Sequence, residues 1–167
     1  MCRHGHALKM NTNRENTMKN HSDTAVLGVI TALVGGTAYQ VFVWFFYLLG
    51  IAKITPFQIG AYIFIRPGLD FTSLPAQLLG MVQHYSLSTI LAFITSYCLQ
   101  KIGTDYLLLK GLLLGMTIYF LFYGVLAKFV VPVEILQPDF ATSVVYLFGN
   151  LVFGIAASQV LSRLAKR

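Results

Sequence analysis

Hydrophobic and polar positions fall in long blocks along this chain. Four windows carry no formal charge: Thr24–Ala52, Phe71–Gln100, Gly111–Ala127 and Phe140–Ser162. A helix crosses the hydrocarbon core of a bilayer with about 20 residues, and each window approaches or exceeds that length. The third is the shortest, but Lys110 and Lys128 flank it and can extend their ammonium groups to the headgroups. The pattern predicts an all-α, polytopic four-helix membrane bundle with spans at 24–52, 74–99, 107–131 and 141–162, the third stopping at Pro132. The first window is too long for the apolar core of a secretory signal, and no A-x-A site follows it. Its spare length predicts a tilted or projecting helix.

The connecting segments read differently. Residues 1–23 are polar, rich in Asn and His and without periodicity, which predicts an irregular tail. Met10 and Met18 each leave a readable beginning for the same four spans. Between the first two spans, Thr55-Pro56 has the form of a helix start and Arg66-Pro67-Gly68 that of a turn. The intervening FQIGAYIFI is too short to span, so a short interfacial segment is expected there. Ser73 is placed to cap span two, with Pro75 tolerated in its first turn. Residues 163–167 form a short basic tail.

Composition sharpens this picture. Only 11% of residues are charged and 56% are hydrophobic, against about a quarter charged in an ordinary soluble domain. The surrounding lipid bilayer is therefore the first partner the sequence implies. A net charge of +6 raises the question of nucleic acid, but the placement of the charges answers it. Arg3, Lys9, Arg14, Lys19, Lys101, Lys110, Arg163, Lys166 and Arg167 all fall on one side if the N-terminus is cytoplasmic. Lys53, Arg66 and Lys128 fall on the other, where the third loop also carries Glu134 and Asp139. The positive-inside rule then puts both termini in the cytoplasm, and basicity needs no nucleic-acid partner. Cys2 and Cys98 would both lie toward that reducing side, which disfavours a disulfide. The tail MCRHGH gathers Cys2, His4 and His6, which could hold a copper or nickel ion, but a solvated polar tail is the expected reading. No cofactor or metal is implied.

Each span carries a four-residue ladder of small or polar residues. Gly28, Ala32, Gly36 and Gln40 lie on the first; Gly80, His84, Ser88, Ala92 and Ser96 on the second. Gly111, Gly115, Tyr119 and Tyr123 lie on the third; Tyr146, Asn150, Gly154 and Ser158 on the fourth. Helices in lipid associate through close backbone approach and interhelical hydrogen bonds. Gly28, Ala32, Gly36, Gly80, Gly111, Gly115 and Gly154 are thus the expected packing positions.

At about 1.5 Å per residue, Gln40, His84, Tyr119 and Asn150 all fall roughly 14–18 Å from the outer ends of their spans. One polar side chain per helix then occupies a common layer near the bilayer centre. Facing outward, each would cost several kcal/mol unpaired, so the expectation is that they face inward and satisfy one another. Two readings of His84 stand open: a neutral side chain fixing helix register, or part of a polar cavity that binds a solute or relays protons. Metal or haem ligation lacks a second histidine at ligand spacing. No His-Glu-x-x-His, Gly-x-Ser-x-Gly, phosphate-cradling loop or intramembrane carboxylate pair points to an enzyme.

A glycine-rich first span, GVITALVGGTAY, is followed by an Ile-Thr-Pro turn at Ile54–Pro56, a short loop between spans two and three, and YLFGNLVFG in span four. This layout resembles the YqhR-like family of small bacterial membrane proteins. The resemblance implies a bacterial plasma membrane and carries no catalytic or binding residue with it. Two functions remain in view: an accessory, scaffold or homo-oligomeric membrane component, with a membrane-protein partner or further copies of itself, and a small-solute or proton transporter or channel component using the polar layer.

Overall fold

The structure, a computed structural model, describes residues 4–65, 70–102, 105–126 and 139–164. Helix α1 runs His4–Leu48, α2 Pro56–Phe64, α3 Leu74–Ile102, α4 Leu107–Tyr119 and α5 Phe140–Leu164. Among the described residues all regular structure is helical. Four of these helices are long and apolar enough to cross a membrane, over Val26–Leu48, Leu74–Cys98, Leu107–Val125 and Phe140–Arg163.

Several boundaries differ from the sequence pattern. Helix α1 begins at His4, so much of the polar segment expected to be irregular continues the helix. Extending a formed helix costs far less than starting one, and no proline interrupts residues 4–48. At its other end α1 stops at Leu48, short of Ala52, because Gly50 takes a left-handed φ of 71° and turns the chain. Span three changes character midway: α4 passes at Phe120 into a π-helical stretch, Phe120–Leu126. Its expected end at Pro132, with Lys128 and Glu134, lies outside the described residues, as does the Arg66-Pro67-Gly68 turn.

The long helices pack in the order α3–α1–α5–α4, with α2 laid on α3. Two contacts are made by backbone against backbone. A methyl group on Gly154 would overlap the Gly111 carbonyl oxygen, and one on Gly115 would overlap the Asn150 carbonyl, so α4 and α5 touch along their glycines. A methyl on Gly80 would likewise overlap the Phe57 carbonyl oxygen, which seats α2 on α3. The α1–α3 seam is looser: a Cβ on Gly28 would meet the Phe93 ring at 3.1 Å, and one on Gly36 the Ser88 hydroxyl at 3.0 Å. Ala32, between them on α1, is fully buried.

Helix α2 owes its start to a capping box. The Gln58 N–H donates to Thr55 Oγ1 at 3.3 Å, and the Thr55 N–H donates to Gln58 Oε1 at 2.8 Å. Pro56 sits at the first turn, where its missing N–H costs nothing. Phe57 lies beside Gly80 and His84, about 9–15 Å down α3 from Leu74. Further along, the Tyr62 ring packs at a tilt against Phe71 at 4.9 Å, at the head of α3. The chain thus folds back after α1, and α2 rises alongside the first turns of α3.

Candidate functional site

Register along the helices can be read from named contacts. Tyr39 and His84 stack with ring centroids 5.4 Å apart. The same Tyr39 ring lies against Gly149 of α5, and the Asn150 carbonyl faces Gly115 of α4. Gln40, His84 and Asn150 therefore share one level of the bundle, with Tyr119 one turn beyond Gly115. Yet no hydrogen bond joins any two of these four side chains. Two groups form instead, on either side of α1.

The first group lies among α1, α2 and α3. His84 Nε2 is 3.3 Å from the Gly36 carbonyl oxygen. A carbonyl only accepts, so Nε2 carries the hydrogen and donates. Tyr39, Phe57 and Tyr85 surround the imidazole, with centroids 5.4, 5.7 and 5.4 Å away. Thr37 and Tyr85 bond through their hydroxyls at 2.9 Å, a second link between α1 and α3. Gln40 is only 6% exposed, and neither its amide nitrogen nor its amide oxygen has a partner.

The second group lies among α1, α5 and the α4 span. The Tyr39 and Tyr123 hydroxyls are 3.2 Å apart. The Tyr123 ring packs at a tilt against Tyr119 at 5.3 Å and Tyr146 at 5.2 Å. Tyr146, fully buried, donates its hydroxyl to the Ile54 carbonyl at 2.5 Å. Asn150 Nδ2 donates to the Tyr146 carbonyl of its own helix at 2.7 Å. This group lies beside the π-helical stretch that carries Tyr123. Such wide turns recur at functional sites in helices.

At the end of the bundle where α1 gives way to α2, a polar latch ties that link to the head of α5. The Lys53 N–H donates to Thr142 Oγ1 at 3.0 Å, and the Thr142 hydroxyl donates to Asp139 Oδ1. Lys53 Nζ reaches Asp139 Oδ2 at 3.3 Å, an exposed pair of small energetic weight. The Thr142 hydroxyl, then the N–H of the same residue and Lys53, hold the Asp139 carboxyl below its ordinary range. The Asp70 carboxyl is lowered in the same way by the Thr72 hydroxyl and N–H.

Tyr39 is the central residue that sequence pattern passes over, since it falls off the four-residue ladder. Its signal was depth: a tyrosine ten residues inside its span, away from the interfacial belt, needs a partner for its hydroxyl. Thr142 gave no comparable sign. Among the described residues no three of His, Cys, Asp and Glu gather as a metal site would require. No protein-family model matches the chain, and no curated protein or solved structure matches it either.

Proposed function

We propose that this chain is a non-enzymatic component of a bacterial plasma membrane, an accessory or scaffold subunit working through its packed helices and through copies of itself or a membrane partner. Both termini face the cytoplasm in this reading, and membership of the YqhR-like family belongs to the same proposal. The observation that carries it is where the mid-depth polar groups go. His84 bonds the α1 backbone, Asn150 the α5 backbone, Tyr146 the Ile54 carbonyl and Tyr39 the Tyr123 hydroxyl. Two of these bonds join one span to another, one ties α5 to the α1–α2 link and one closes within α5, and their work is to hold shape. The outward faces meanwhile expose Val41, Phe45, Leu113, Met116 and Phe148 to lipid or to another subunit.

The test is the protein mass of the purified chain in mild detergent and in nanodiscs. A mass at least double the single-chain 18.6 kDa is expected. A lone 18.6 kDa chain that moves a solute or protons in liposomes would overturn the reading. Reporter fusions after Lys101 and after Pro138 test the sides: cytoplasmic signal at the first and external signal at the second are expected.

A second reading, a small-solute or proton pathway through the polar layer, is favoured by the unbonded amide of Gln40. The His84→Leu variant separates the two. Preserved folding with lost flux supports a pathway, and impaired folding without a solute-specific defect supports a packing role.

A further inference from the structure

Gln40 is the one buried side chain that breaks the pattern of satisfied bonds across the two central groups. Inside α1 the Gly36 carbonyl accepts from the Gln40 N–H, as every helical carbonyl does four residues on. The same oxygen receives His84 Nε2. His84 therefore sits over Gly36, next to the Gln40 backbone. At 3.6 residues per turn, Tyr39 projects about 60° to one side of Gly36 and Gln40 about 40° to the other. Tyr39 covers one flank of the imidazole by stacking on it. By this angle Gln40 projects toward the other flank, and Phe57 in the first turn of α2 lies edge-on to the imidazole.

The chemistry of this junction is open on one side only. Nε2 of His84 is spent on Gly36, which leaves Nδ1 of the neutral ring as an acceptor. The Gln40 amide offers two donors and an acceptor, none of them engaged. Leaving such groups empty costs about 1–3 kcal/mol each, and proteins meet that cost with a bound water when the site is polar. No formal charge lies between Phe71 and Gln100 or between Thr24 and Ala52, so nothing here selects an ion.

We infer that Gln40 and His84, beneath the first turn of α2, form a mid-bundle binding site for water, a small neutral guest that donates and accepts at once. The site goes beyond the scaffold reading and does not depend on it, since a hydrated site serves a static bundle as well as a pathway.

The experiment uses the full chain in nanodiscs, labelled with 15N at Gln, Asn and His, and follows magnetisation transfer from water to side-chain nitrogens. Asn150 is the internal control, equally buried at 6% exposure but bonded to protein. Water signal should reach the Gln40 amide and the His84 ring well before it reaches the Asn150 amide. Transfer to Gln40 no faster than to Asn150 overturns the site. In Gln40→Met, similar in size and apolar, transfer to His84 should be lost and the thermal midpoint should fall. Retained transfer, or a raised midpoint as expected for removal of a dry unbonded amide, overturns it as well. Should Gln40→Met fail to fold, the wild-type comparison with Asn150 still decides.

Discussion

The two outer seams of the bundle are both closed by glycine, yet they bind different things. Along α4 and α5, Gly111, Gly115 and Gly154 bring two full spans into backbone contact. Along α2 and α3, Gly60 and Gly80 do the same for a helix of nine residues. The first seam joins elements that each cross the membrane and whose polar groups find partners nearby. The second seats a short helix over His84 through Phe57. Tightness of approach is alike; what differs is how much structure each contact holds and what it covers. Close packing in lipid can therefore serve a strut or a cover, and the length of the partner helix decides which.

This contrast is tested most severely by enlarging one glycine on each seam. Gly154→Leu must part α4 from α5, because the atoms in the way are the Gly111 carbonyl and the Gly115 nitrogen rather than a movable side chain. Overpacking of this kind costs about 1–3 kcal/mol in soluble cores and more where backbone must shift. The expected outcome is loss of a cooperative thermal transition in detergent, or a midpoint far below wild type. Gly80→Leu meets the Phe57 carbonyl, an equally hard obstacle. Helix α2 can lift away as a unit, so the global transition should survive while a cysteine placed at Phe57 becomes reactive to a soluble thiol reagent. Equal collapse in both variants would erase the distinction between strut and cover.

A smaller effect is expected from Tyr146→Phe. Its hydroxyl donates to the Ile54 carbonyl and anchors the link between α1 and α2 on α5. Removing it leaves that carbonyl without this donor, a loss of about 1–3 kcal/mol, visible as a lowered midpoint. His84→Leu should cost less, because the Gly36 carbonyl keeps its helical bond when the imidazole is gone. A larger loss for His84→Leu than for Tyr146→Phe would move the weight of the structure from the tyrosine group to the α1–α3 side.

The blocks of apolar sequence were enough to place the four long helices, because charge-free length is itself the physical requirement for crossing lipid. Glycine spacing also carried information: Gly111, Gly115 and Gly154 are where two backbones meet, and Gly80 is where α2 rests. Spacing does not say which helix each ladder faces, and so one ring of mutual bonds is what the sequence leads one to expect of the polar layer. The packing order α3–α1–α5–α4 puts α1 between two groups, and His84 and Asn150 each turn to a carbonyl instead. Carbonyls are invisible in a sequence because every residue has one. The same reason hid Ile54 as the acceptor for Tyr146 and the depth that α2 reaches beside His84.

The gentlest test lies at the exposed end of the same comparison, where Asp139 joins the α1–α2 link to α5. Its carboxyl is held below the ordinary range chiefly by the Thr142 hydroxyl, with the Thr142 N–H and Lys53 assisting. A group whose folded value is depressed adds stability above its unfolded value, and that contribution disappears as pH falls through the folded one. The thermal midpoint should therefore be flat near neutrality with respect to this group and decline at acid pH, below the usual carboxylate range. Asp139→Asn should remove that component of the acid decline while leaving the midpoint at neutral pH only slightly lowered, since the Lys53 pair is exposed. Thr142→Val should lose both the acid component and the acceptor for the Lys53 N–H, which Asp139→Asn leaves in place. The difference between the two variants measures what the buried hydroxyl adds to the surface ion pair, and an acid profile unchanged in both would mean that the latch does not hold α5 to the α1–α2 link.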